Sequence, residues 1–120
     1  HQTENKQDAS ESVFLTKAIE LVEKNLHVPG YSVEQLSRDL CMERTGLYRK
    51  LVAMLDQSPS LFIRNIRLQR AAQLILEGSL SITEIAERTG FSSSSYLSKC
   101  FQEMYGCRPS EYAEKMQKST

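Results

Sequence analysis

Apolar residues recur every three or four positions along most of the chain, which is typical of helices that bury one face. The first such run extends from Val13 to Leu26, and Pro29 and Gly30 follow it, so an amphipathic helix is expected there. No window shows the strict alternation of apolar and polar residues that marks a half-buried strand. The pattern therefore predicts an all-α fold of about seven helices.

Residues 1–12, HQTENKQDASES, contain no periodic apolar positions. We expect them to be a disordered linker or a remnant of an expression tag outside the folded part. A chain of 120 residues, 40% of them hydrophobic, is long enough for one compact domain. That domain is expected over residues 13–116, with 117–120 as a tail.

Two serines mark helix starts of the same form. Ser32 with Gln35, and Ser81 with Glu84, match the capping box, in which the serine hydroxyl and the side chain three residues later bond each other's backbone amides. After each box the pattern predicts a short helix, a tight turn and a longer helix. The two units are expected over about 32–56 and about 81–106.

The two units repeat each other. Ser32, Val33 and Leu36 match Ser81, Ile82 and Ile85 at an offset of 49 residues, whereas Leu47 and Leu51 match Leu97 and Phe101 at an offset of 50. The second turn is therefore expected to be one residue longer than the first. Pro109 then opens a last short helix, in which Tyr112 and Met116 are expected to face inward.

A long helix is expected between the units, over about 59–77. Pro59 suits a first helical position, and Gly78 suits the residue after a helix end. Nineteen residues at ~1.5 Å each give a length of roughly 28 Å. Three arginines of this helix are expected to form a solvated face rather than a track of phosphate contacts: Arg64, Arg67 and Arg70.

A short helix, a tight turn and a longer helix with exposed polar and basic residues form the helix-turn-helix arrangement, whose second helix enters the major groove of DNA. Here the second helices are expected over about 44–55 and about 93–105. Successive major-groove segments on one face of DNA lie ~34 Å apart, so a helix of ~28 Å could hold both recognition helices on the same face. The sequence thus predicts two helix-turn-helix subdomains joined by a linker helix.

Over residues 13–116 the chain resembles the DNA-binding domain of AraC-type transcription activators. The resemblance rests on Leu47-Tyr48-Arg49-Lys50, on Ile85-Ala86 with Gly90-Phe91-Ser92 and Tyr96-Leu97-Ser98-Lys99, and on Gly106 with Pro109-Ser110-Glu111-Tyr112. The stretch FIRNIRLQRAAQLI is also similar to output domains of two-component hybrid sensors or response regulators. The resemblance therefore implies a C-terminal output fragment of a longer protein.

The resemblance implies a monomeric domain that places its third and sixth helices in consecutive major-groove segments of double-stranded DNA, often bending it, without a cofactor. It also implies contact with RNA polymerase, dimerisation through parts of the full-length protein outside this chain, and no small-molecule site in the domain. The base-contacting positions of the family fall on Arg44, Thr45, Tyr48, Arg49, Ser94, Ser95, Ser98 and Lys99.

These residue types suit the task. Arg49 can bond guanine bidentately, serine and threonine hydroxyls adapt to several bases, and Arg44 or Lys99 can take phosphate instead. Tyr48 and Tyr96 could pack against the domain instead of contacting bases, and packing is favoured for Tyr96. Ser92 is assigned to capping.

Two positions depart from the family pattern: Glu43 stands at the start of the first recognition helix, where the family usually has serine, and Ala113 stands where the family commonly has arginine. An acid beside DNA costs attraction unless it accepts from cytosine. The first unit is therefore expected to be the weaker or more unusual DNA-contacting unit.

The net charge of zero argues against a nucleic-acid partner, but the charge is unevenly distributed. Residues 1–43 contain four Lys and Arg against eight Asp and Glu, whereas residues 44–109 contain nine against five. Because the electric field of a charge acts over only about 8 to 10 Å at ordinary salt, a protein with zero net charge can still present a basic face. The runner-up interpretation is a helical protein–protein interaction module.

Two histidines and three cysteines supply neither a catalytic set nor a metal site, so an enzyme is not expected. Three thiols without a pairing framework suit a reducing compartment, which predicts a cytoplasmic location. A full-length hybrid sensor could still be membrane-anchored.

Overall fold

The computed structural model describes the backbone of residues 2–118 and the side chains of residues 9–118. Over this part the chain forms seven α-helices and no strand. The all-α prediction is confirmed. The helices are α1 (Gln2–Lys24), α2 (Val33–Asp39), α3 (Arg44–Leu55), α4 (Pro59–Glu77), α5 (Ile82–Arg88), α6 (Ser94–Tyr105) and α7 (Pro109–Lys118).

Helix α1 begins earlier than the sequence pattern predicted. Residues 2–12 continue the helix that was expected from Val13, so the expectation that this segment is disordered is wrong for those residues, whereas His1 lies outside the described part. Without periodic apolar residues this segment has no face to pack against the core, but that does not prevent it from forming a helix. The segment contains no proline or glycine, and glutamine, glutamate, lysine and alanine all favour helix.

The corresponding helices of the two repeated units have the same lengths. Helices α2 and α5 each contain 7 residues, and α3 and α6 each contain 12. Both capping boxes form: the amide of Ser32 donates to Gln35 Oε1 at 3.3 Å, and the amide of Ser81 donates to Glu84 Oε1 at 3.1 Å. The turn between the helices covers residues 40–43 in the first unit and the longer stretch 89–93 in the second. The predicted extra residue is confirmed.

Both turns begin with the same backbone geometry, with one residue in the left-handed region. That residue is Cys41 (φ 57°) in the first unit and Gly90 (φ 79°) in the second. In each turn this residue's amide and the next amide donate back to the preceding helix, which is the Schellman arrangement. The four bonds are Cys41 to Arg38 at 3.0 Å, Met42 to Ser37 at 2.8 Å, Gly90 to Glu87 at 3.3 Å and Phe91 to Ala86 at 2.9 Å.

Helix α4 contributes to two hydrophobic cores. Its N-terminal half packs with α1, α2 and α3, and its C-terminal half packs with α5, α6 and α7. Within α7, Tyr112 is buried as predicted, but Met116 is 40% exposed, so its predicted inward orientation is wrong. The residues of α4 in the first core are Phe62, Ile63 and Ile66, and those in the second are Leu68, Ala71, Ala72 and Leu74.

Arg67 lies between these two sets and is buried, so its predicted place on a solvated face is wrong. Its guanidinium donates to the carbonyl of Leu26, to that of Val28 at 3.1 Å and to that of Thr89 at 2.8 Å. Burial lowers the pKa of this guanidinium. A spacing of three residues turns each successive arginine by about 60° around a helix, so the three do not share one face. Arg64 is half-buried, Arg67 is buried and Arg70 is exposed.

Gly90 allows this guanidinium to approach. A Cβ at position 90 would overlap Arg67 Nη1 and the Leu26 carbonyl oxygen and would lie 2.7 Å from Arg67 Cζ. Gly78 has a similar positive φ of 74°, but nothing lies within 4 Å of a Cβ built there. The two glycines therefore separate the backbone requirement from the packing requirement.

Gly90→Ala is expected to destabilise the domain by several kcal/mol, because it adds a buried clash to the ~1–2 kcal/mol cost of a left-handed non-glycine residue. Gly78→Ala is the matched control and is expected to incur only that backbone cost. Urea unfolding followed by circular dichroism measures both changes. Equal losses for the two variants would show that Gly90 is not needed for the approach of Arg67.

Cys41→Gly is expected to stabilise the domain by about 0.5–1 kcal/mol, since glycine relieves the left-handed strain of the first turn. Cys41→Ala changes the side chain without relieving that strain and serves as the control. Thermal unfolding of the two variants checks this. A gain with alanine as large as that with glycine would assign the effect to the thiol instead.

Candidate nucleic-acid interface

Helix α3 presents a polar face away from the first core. Leu47 and Leu51 are fully buried, and they fix which side of the helix faces outward. Its N-cap residue, Glu43, has extended backbone angles but makes no side-chain cap hydrogen bond. One of the orphan amides at this helix start therefore lacks a side-chain acceptor.

Helix α6 is oriented in the same way in the second unit, with Leu97 and Phe101 fully buried. Its N-cap is Ser93, whose hydroxyl accepts from the amide of Tyr96 at 3.0 Å. The assignment of Ser92 to capping is therefore wrong by one residue. A cap hydroxyl bonds the amide two or three residues on, and a run of serines at 92–95 gives no local signal of which one starts the helix.

The eight residues predicted to contact bases all lie on α3 or α6, and none is buried. Residues at an offset of 50 occupy the same places in the two units, so Arg49 corresponds to Lys99 and Thr45 to Ser95. Two of the eight, Ser94 and Ser98, are half-buried. The exposed ones are Arg44, Thr45, Tyr48, Arg49, Ser95 and Lys99.

The basic residues of these helices differ in what they contact. Arg44 Nη1 lies 3.4 Å from Glu34 Oε1 of α2, and both side chains are largely exposed. The ammonium of Lys50 lies over the ring of Phe14 at 4.5 Å from its centroid, so Lys50 joins α3 to α1. Within residues 9–118, Arg49 and Lys99 make no ion pair, and their charged groups are available to a ligand.

The two tyrosines at the start of the recognition helices are both partly exposed. Tyr48 is 53% exposed and is available for contacts outside the chain. Tyr96 is 45% exposed, and its ring centroid lies 5.9 Å from that of buried Phe91. Part of the Tyr96 ring thus packs within the second unit, as predicted for this residue.

A cleft between the two units was not predicted. It is lined by residues of α4, of the α1–α2 loop and of the second unit, and it includes Arg64, which had been assigned to a solvated face. Arg64 is instead half-buried, and only Arg70 of the three linker arginines is exposed. No sequence signal identifies such a cleft, since it forms only where the two units meet.

No helix in the described part of the chain is both long enough and apolar enough to cross a membrane. Within the same residues, histidine, cysteine, aspartate and glutamate side chains nowhere gather in a group that could hold a metal ion.

The arrangement is that of a double helix-turn-helix protein, and comparison with known proteins identifies its family. Residues 36–115 match a family model described as a helix-turn-helix domain. A crystal structure of a transcriptional regulator with an AraC-type DNA-binding domain, from Chromobacterium violaceum, is 30% identical, with a TM-score of 0.80 over 89% of this chain and 95% of that chain. The chain belongs to the AraC-type helix-turn-helix DNA-binding domains.

Two other similarities bear on its setting. Histidine kinase P4 of Formosa agariphila is 39% identical over 99 residues, which cover 82% of this chain but only 7% of the kinase. The DNA-binding domain of AdpA, solved in complex with a target DNA, has a TM-score of 0.76 over 88% of this chain and 94% of that chain, at 24% identity. The latter establishes likeness of fold.

The unequal helix starts lead to a mirrored pair of substitutions. Glu43→Ser supplies the missing cap of α3 and is expected to stabilise the domain by about 0.5–1 kcal/mol. Ser93→Glu removes the cap of α6 and is expected to destabilise it by about 1 kcal/mol. Differential scanning calorimetry measures both. Shifts of the same sign in the two variants would contradict this account of capping.

Proposed function

We propose that the domain binds a specific double-stranded DNA sequence by inserting α3 and α6 into consecutive major-groove segments and so regulates transcription. The observation that carries this proposal is the duplication itself: two units of equal helix lengths present equivalent polar faces and share α4. Because α4 packs in both cores, the two faces are held in one fixed relation. When one recognition helix lies in a major groove, the other recognition helix is then positioned at the next major-groove segment.

The residues proposed to contact DNA divide by chemistry. Arg49 suits a bidentate contact with guanine, and the hydroxyls of Thr45 and Ser95 suit adaptable contacts with base edges. Lys99 has a compact charge that suits phosphate. Arg44 lies near Glu34 of α2, but both side chains are largely exposed and such an ion pair is weak, so Arg44 can turn to a phosphate or a base. Tyr48, Ser94 and Ser98 complete the proposed set.

We further propose that the domain is the output module of a longer regulator of the two-component type, as the likeness to a histidine kinase suggests. Contact with RNA polymerase and dimerisation through other parts of that protein belong to the same proposal. A cytoplasmic location and a binding rather than a catalytic role follow from it. No cofactor or metal is needed for contacts made by side chains and backbone alone.

Selection from a random duplex library, followed by fluorescence anisotropy at two salt concentrations, tests the proposal. We expect enrichment of a site with two blocks about 10 base pairs apart, bound far more tightly than scrambled DNA. Absence of enrichment and of salt-dependent binding, even with the domain artificially dimerised, would favour a protein–protein interaction module.

Arg49→Ala is expected to weaken binding by about 1–3 kcal/mol and to relax the preference at one base pair. Lys99→Ala is expected to weaken binding on all sequences and to reduce the salt slope by about 0.9. Lys17→Ala, an exposed lysine of α1, is the matched control. If Lys17→Ala weakened binding as much as either variant, general charge rather than the recognition helices would explain the affinity.

A further inference from the structure

The charged side chains that line the cleft between the units are all positive. The cleft has a volume of about 640 Å³, and the residues that line it include two arginines, Arg64 and Arg67, but no aspartate or glutamate. Arg67 is committed to three backbone carbonyls. Tyr31, which also lines the cleft, donates its hydroxyl to Asp39 at 2.9 Å. Of the two arginines, Arg64 is therefore the one whose guanidinium can accept a further ligand.

Arg64 is incompletely satisfied within the described part of the chain. Its Nη2 lies 4.0 Å from Glu103 Oε2, at the outer limit of an ion pair, and the Glu103 side chain is 52% exposed. Its Nε is buried and has no hydrogen-bond partner there. An unpaired buried donor is unfavourable. The Arg64 side chain as a whole is still 35% exposed, so its remaining donors can meet a ligand. The cleft is thus suited to an anion.

The position of the cleft indicates which anion. Val33, Ser58 and Ser60 line it and also line the adjoining groove that contains Arg44, Thr45 and Tyr48 of α3. At its other side the cleft reaches Tyr96, in the first turn of α6. It therefore lies between the predicted contact faces of the two recognition helices. The sugar-phosphate backbone is the anion that joins two neighbouring major-groove segments.

We propose that this cleft binds a backbone phosphate of the DNA segment between the two major-groove contacts, with Arg64 as the cationic ligand and the Ser60 hydroxyl as a second donor. The inference rests on the proposed DNA-binding function and adds a third point of attachment to it. A phosphate oxygen replaces the distant carboxylate of Glu103 at the guanidinium. Because phosphates are alike in every sequence, this contact fixes the register of the duplex and leaves base preference unchanged.

Single methylphosphonate substitutions along the DNA between the two blocks of a selected duplex test this site. Each replaces one charged phosphate by a neutral group. We expect one position, or two adjacent ones, at which the substitution weakens binding of the unmodified protein about tenfold, the scale of a lost hydrogen bond to a charged group. This measurement does not depend on the folding of any variant.

Arg64→Gln is expected to bind the unmodified duplex about tenfold less tightly, to keep the same base preference and to be indifferent to methylphosphonate at that position. Arg70→Gln is the matched control, because Arg70 lies on the same helix, is exposed and donates to Gln73 outside the cleft. It is expected to match the unmodified protein throughout.

Equal sensitivity of the unmodified protein and Arg64→Gln to every methylphosphonate would overturn the phosphate site while leaving DNA binding intact. The site would also be overturned if inorganic phosphate, added at constant ionic strength, removed the difference in DNA affinity between the two proteins. A free anion would then be the ligand of the cleft. Failure to select any duplex would instead refute the DNA-binding function on which the site depends.

Discussion

The buried guanidinium of Arg67 is the interaction on which the rest of the structure depends. It lies where the two cores meet along α4, and its donors reach the α1–α2 loop at Leu26 and Val28 and the second turn at Thr89. Loss of this group would leave buried carbonyls unpaired on both sides of the junction. The two units are therefore joined by polar bonds as well as by a shared helix. At position 90 only glycine fits, because the guanidinium occupies the space that a side chain would need.

The two units follow one backbone plan but are built unequally. The second has glycine at the left-handed turn position and serine at the recognition-helix cap, whereas the first has Cys41 and Glu43 at the same places. The first unit has compensating contacts elsewhere, such as the Lys50–Phe14 contact between α3 and α1. Local backbone chemistry thus stabilises the second unit more, while packing against α1 supports the first.

Prediction from the sequence succeeded where the determining signals are local. The bounds of α3 and α4 match the predicted 44–55 and 59–77. For α4 the signals lie at its ends, because Ser58 and Pro59 are at its start and Gly78 follows its last residue. Two of the failed predictions have a tertiary cause. The burial of Arg67 and the cleft at Arg64 depend on how the units meet, and no periodicity reports that. None of the eight proposed DNA contacts is buried and six of them are exposed, and their role stays a prediction.

The outward faces of α3 and α6 contribute little to either core. Substitutions at positions such as Thr45, Arg49 and Ser95 remove few buried contacts, and exposed positions of this kind usually tolerate change within about 0.5 kcal/mol. Mutations there can alter the surface offered to a partner without a loss of stability that selection would first have to repair. The fold thus separates evolutionary change in recognition from the persistence of the scaffold, and each of the two faces is free to diverge at its own pace.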